Sequence, residues 1–307
     1  MSPHTERPAA ERVVTVPPAG DGRDGRRRDG EPTRERQVHE PHRVGLPPIG
    51  AYVADLWRRR EFAFEMSRTD LRAQHFNTVF GQLWLVINPL LLACVYFILV
   101  DILHAGSRGT DFFAHLMAGL FAYHFVSDAV RQGAKSVVAG GRLILNTAFP
   151  RALLPLSSVM TAFMRFVPTI AIYAPVHVAS GLPIDATLLW VVPIVALLAL
   201  LASGVAMLVA AAQVYFRDIS SFLPYVLRIW LYASPVLYYA HEVPERYGVI
   251  LDVNPIAPLL TALSEVLSQG EVPAAGVLGL GLVWAAGIFV VGALFFVSRE
   301  REFAVRL

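Results

Sequence analysis

Two charges, Arg217-Asp218, stand between two long apolar runs, and that break limits what the chain can become. A run rich in Ala, Leu and Val enters through Val214-Tyr215-Phe216. A second follows at once and ends in Ser234-Pro235. A charged side chain inside hydrocarbon costs about 2.5–3.5 kcal/mol or more, so the turn belongs at a membrane surface. The two runs then form a hairpin of membrane-spanning helices. Composition agrees: 55% of the 307 residues are hydrophobic and 16% are charged, against ~25% charged in a soluble domain. The net charge of +2 is uninformative, because the charges are segregated along the chain. Cys94 is the single cysteine, which excludes an internal disulfide and a four-cysteine zinc site.

The other segments can be placed around that hairpin. Residues 1–45 are polar, rich in Pro, Gly and Arg, and lack an apolar period, so disorder is expected there. No apolar stretch follows Arg26-Arg27-Arg28, so these residues do not read as a signal peptide, and interspersed acids favour a solvated tail. From 46 to 76 the pattern changes. Tyr52, Leu56, Ala63 and Met66 recur at helical spacing, with Trp57, Phe64 and the arginines 58, 59, 60, 68 and 72 around them. A basic amphipathic helix with aromatic residues lies in the membrane interface. Residues 77–307 then read as six spans, at about 84–104, 112–130, 153–178, 187–215, 220–239 and 276–297. Each is near the length that crosses ~30 Å of hydrocarbon. The fold class is therefore all-α and integral to the membrane.

Charge sets the orientation. Arg131, Lys135, Arg142, Arg151, Arg217, Arg299, Arg301 and Arg306 fall on the side of the N-terminal arginines. The other side holds Arg108 and Arg246 against Asp111, Asp185, Glu242, Glu245, Asp252, Glu265 and Glu271. The positive-inside rule puts the first set, and both termini, in the cytoplasm.

No Walker A loop and no clustered metal ligands are present, so energy for uphill transport must come from a partner. His115 and His124, nine residues apart, fall on opposite helix faces and read as packing residues. Arg165 sits midway along the third span and reads as the one basic residue deep in a span. It needs a counter-charge or a wet cavity, and an arginine fork suits phosphate oxygens. Ala202, Ala206 and Ala210 form a small-residue stripe suited to close helix packing.

Four ordered motifs carry a resemblance. Asn77-Thr78-Val79-Phe80-Gly81-Gln82-Leu83-Trp84 with Ile87-Asn88-Pro89, then Val214 to Ile219, Ser234 to Tyr238, and Asn254-Pro255-Ile256 resemble type II ATP-binding-cassette exporter permeases. The resemblance is to the polysaccharide branch, which exports O-antigen, teichoic acid or galactan. The long Arg-rich leader departs from its usual short N-terminus. The resemblance implies a permease in the bacterial cytoplasmic membrane, with an N-terminal interface helix and six spans. It implies a homodimer carrying two ATPase subunits, with ATP and Mg bound by that partner and no cofactor in this chain. Its cargo would be a polyprenyl-diphosphate-linked polysaccharide, and nucleic acid is not expected as a partner. Residues 240–275 would fold back as short re-entrant helices forming a periplasmic gate, with Pro235, Asn254 and Pro255 as candidates. Independently, the apolar stretches there are too short to span.

Within that frame, 131–151 would hold the helix that docks on the ATPase. An apolar face of Val137, Ile144 and Leu145 is expected, and Arg131, Lys135, Arg142, Arg217 and Asp218 are coupling candidates. Arg217-Asp218 reads as a structural cap near that contact, not as a catalytic pair. Arg165, Arg59, Arg60 and Arg72, with the aromatic Tyr96, Phe125 and Tyr232, are substrate-path candidates. A drug or small-lipid exporter permease is the near alternative. A membrane glycosyltransferase would need paired carboxylates, and near the membrane the cytoplasmic loops offer only Asp128 and Asp218. A passive channel would not need a docking segment.

Overall fold

A computed structural model describes residues 48–74, 83–103 and 109–306. Every long regular element among them is a helix. The leader, Asn77 to Gln82 of the first motif, and Arg108 lie outside the described residues.

The interface segment is two helices, α1 (Ile49–Arg58) and α2 (Arg60–Gln74), broken at Arg59, where one continuous helix was expected. α3 (Trp84–Leu103) carries Pro89 in its first half. α4 (Thr110–Ala139) outruns the expected second span, continuing through Arg131 and Lys135. A short α5 (Gly141–Asn146) leads to α6 (Leu153–Ala179). A single tight turn of helix, Ala186–Trp190, starts α7 (Val191–Tyr215). α8 (Ile219–Tyr232) stops at the Ser234-Pro235 turn, short of the expected residue 239. The short α9 (Gly248–Val253) and α10 (Ala257–Ser264) follow, then α11 (Ala275–Arg299) and α12 (Phe303–Arg306).

Among the described residues, 153–179, 186–215 and 275–306 are long and apolar enough to cross a membrane. The segments Glu245–Val253 and Ala257–Gln269 meet at 107°, the geometry of a broken span or a re-entrant loop.

The core forms around α4, which packs on α6 and α7, while α7 packs on α11. From Phe112 to Val126 α4 is buried nearly all round, as expected of a helix apolar on every face. Small residues set the crossings. Ala202, Ala206 and Ala210 are all buried, and a Cβ on Gly133 of α4 would stand 2.6 Å from that of Ala206. A Cβ on Gly204 would stand 2.6 Å from the Ile288 carbonyl of α11. The outward face of α11, with Val283, Val290 and Val291 exposed, suits hydrocarbon.

Candidate functional site

A cavity of about 360 Å³ opens between α3, α4 and α6. Arg165 projects into it from α6. Its Nη1 lies 3.7 Å from Asp128 Oδ2, and its Nη2 donates to Gln132 Oε1 at 3.4 Å. Its buried Nε finds no hydrogen-bond acceptor among the described residues. Helical spacing explains the assembly, because His124, Asp128 and Gln132 recur every fourth residue on one face of α4. Arg131, one turn on, also binds Asp128, at 2.5 Å. One carboxylate thus serves two guanidiniums. Asp70 on α2 is within electrostatic reach. Burial holds its carboxyl above the usual range, and the Arg165 charge pulls it partly back. Phe125 forms part of the wall, buried and stacked on Phe166 with ring centroids 5.4 Å apart.

A second compartment of about 250 Å³ shares Leu92, His124, Asp128 and Arg131 with the first and reaches α8. Tyr96 and Arg228 line it. Arg228 corrects the expectation that Arg165 is the one basic residue deep in an apolar run. It stands between Leu227 and Ile229, so the signal was present. Asp128, a loop acid by sequence, lies within α4 and is the hub of the cluster.

The basic residues of α1 and α2 sit elsewhere. Arg59 pairs with Asp55 at 3.4 Å and donates to the Ala148 carbonyl at 3.1 Å. Arg60 donates to the Trp57 carbonyl at 3.1 Å and lies over the Trp57 ring. Neither lines the Arg165 compartments, and Arg72 is exposed on α2. Arg131, Lys135, Arg142, Arg217 and Asp218 are all exposed. Asp218 precedes α8, but its side chain makes no cap bond. In the 131–151 segment Val137 of α4 and Ile144 of α5 are buried within the chain, whereas Leu145 is 61% exposed, so the three do not share the one apolar face expected of them.

Sequence reasoning missed a tie beside this segment. The buried Glu300, just after α11, accepts from Tyr52 Oη of α1 at 2.5 Å and from the Arg151 amide at 2.6 Å. Tyr215 Oη donates to Glu302 at 2.6 Å. These bonds join α1, the start of α6, the end of α7 and the chain's last turns.

At the far end Asn254 is the hub. Its Oδ1 accepts from Trp230 Nε1 at 2.7 Å and from the Ile256 amide at 3.2 Å. Its Nδ2 donates to the Ala233 carbonyl and Ser234 Oγ, both at 3.0 Å. The side chain therefore fastens the end of α8 to the start of α10. Pro235 is buried beside it and Pro255 is half-buried. His115 of α4 meets Ser264 Oγ of α10 at 2.7 Å, a packing role.

Residues 66–268 match the family described as ABC-2 type transporter. The chain is similar to an O-antigen export system permease protein RfbA of Klebsiella pneumoniae. Identity is 27% over 206 residues, covering 67% of this chain and 79% of the relative. A second Klebsiella pneumoniae protein of that name is 25% identical over the same coverage. A Myxococcus xanthus protein of that name is 26% identical over 265 residues, 82% of this chain and 97% of the relative.

Proposed function

The chain belongs to the ABC-2 type transporter family, and from that premise we propose that it is the permease of an exporter that moves an O-antigen-type polysaccharide across the bacterial cytoplasmic membrane. The observation that carries the cargo is the near end-to-end alignment with an O-antigen export permease. In this reading the glycan travels on a polyprenyl diphosphate, and two copies of the chain work with two ATPase subunits that bind ATP and Mg. The six spans are α3, α4, α6, α7, α8 and α11, with both termini cytoplasmic. α9 and α10 form the re-entrant gate, held by Asn254.

Each role has a physical support. Moving a diphosphate past hydrocarbon needs fixed positive charge or water. The Arg165–Asp128–Arg131 cluster sets two guanidiniums around one carboxylate at a cavity, with one Arg165 N–H unspent. Tyr96 and Phe125 offer rings along the same walls, Tyr232 stands exposed on α8, and Arg59 and Arg72 collect the anionic headgroup at the cytoplasmic surface. Exposed Arg131, Lys135, Arg142, Arg217 and Asp218 offer the ATPase a charged docking face, presented by the end of α4, α5 and the α7–α8 turn.

Depletion is the test. Cells losing this protein should accumulate lipid-linked glycan on the cytoplasmic face. Arg165→Ala should keep its ATPase complex yet export less, and Arg165→Lys should rescue only in part, since lysine keeps the charge but loses the planar fork. Unchanged lipid-linked glycan with raised drug sensitivity on depletion would instead mark a drug exporter.

A further inference from the structure

A groove of about 750 Å³ runs between α1–α2 on one side and α6–α7 on the other. It shares no lining residue with the Arg165 compartments. Its α7 wall extends from Val191 to Ser203, about 18 Å at 1.5 Å per residue. One leaflet of a ~30 Å hydrocarbon core is nearly as deep. Apart from Arg60 and Ser203 the lining is apolar, and Val53, Trp57 and Val192 are more than half exposed along it. In a membrane protein that open side faces acyl chains.

The groove is polar at one end. Arg60 stands there beside Trp57, a residue suited to the headgroup level. Its guanidinium gives one N–H to the Trp57 carbonyl and has no carboxylate partner among the described residues. The neighbouring Arg58 and Arg59 share a single acid, Asp55, each at 3.4 Å. The α1–α2 break is therefore net positive where the apolar groove opens. We propose that the groove holds one acyl chain of an anionic phospholipid whose phosphate is bound by Arg60. Such a lipid fills the space beneath α1, a helix with no buried residue of its own, and fixes it against α6 and α7. The inference needs only the membrane setting and stands whatever the cargo.

Native mass spectrometry of the full-length permease with its ATPase would test it. The complex would be stripped of lipid, then incubated with phosphatidylglycerol or phosphatidylethanolamine carrying identical chains. Wild type should retain about one phosphatidylglycerol per permease and clearly less phosphatidylethanolamine. Arg60→Gln should lower phosphatidylglycerol retention about fivefold, the pull of one basic side chain on an anionic surface. Arg68→Gln, on the same helix but outside the groove lining, should retain it. Ala196→Phe, which fills the groove from α7, should lose both lipids. Equal retention by wild type and Arg60→Gln overturns the headgroup contact, and unchanged retention by Ala196→Phe overturns the groove.

Discussion

Asn254 concentrates four hydrogen bonds in one buried side chain, and two of the donors it satisfies, Trp230 Nε1 and the Ile256 amide, are left unpaired by truncation. A buried polar group without a partner costs about 1–3 kcal/mol. Asn254→Ala should therefore destabilise the chain by about 2–4 kcal/mol, read as a lower thermal midpoint of the purified protein. Asn254→Asp keeps both acceptor contacts and should lose less. An alanine variant as stable as wild type would remove Asn254 from its structural role. The residue scale is also where sequence reading was least complete. Arg165 was legible because an arginine in an apolar run stands out. Its partner Asp128 was not, since only the full extent of α4 reveals that 124, 128 and 132 share one face with the cavity. Glu300 was illegible for another reason. Its partners Tyr52 and Arg151 are far away in sequence, and a tail reading SREREF looks like solvated charge.

Elements were easier to read than their contacts. The apolar runs at 153–178, 187–215 and 276–297 correspond to α6, α7 with its lead-in turn, and α11 within a few residues. Such runs leave little alternative to a buried or lipid-facing helix. Element ends were less legible, at Arg59 within the amphipathic segment and at Tyr232, where the expected fifth span stops short. The α7–α11 crossing rests on a glycine pair that no periodicity reveals. A Cβ on Gly292 would collide with the Gly204 carbonyl, whereas one on Gly287 of the same helix meets nothing within 4 Å. Gly292→Ala should force the helices apart and cost about 1–3 kcal/mol, the range for overpacking. Gly287→Ala should be neutral or slightly stabilising, because alanine is the better helix former. Thermal unfolding of the two variants side by side checks this, and equal midpoints would mean that the crossing is looser than the geometry implies.

At the scale of the whole molecule, the exposed faces of α8 and α11 differ in a way that bears on assembly. The outward face of α11 is apolar and costs nothing in lipid. α8 buries Leu223, Leu227 and Leu231 and turns Tyr225, Ile229, Tyr232 and the charged Arg228 outward. An arginine facing hydrocarbon from a 14-residue apolar helix is expensive. The cost falls if that face meets a second copy of the chain or a wet passage between two copies. The compartment lined by Arg228 and Tyr96 would then open toward the dimer axis, and two such compartments would face each other. A single cysteine at Ile229, in a Cys94→Ala background, should therefore form a disulfide-linked pair of chains on mild oxidation in native membranes. A cysteine at Val283, equally exposed but on the apolar face of α11, should stay monomeric under the same conditions. Crosslinking at Val283 and not at Ile229 would move the interface to α11 and leave Arg228 to be explained by lipid headgroups or water alone.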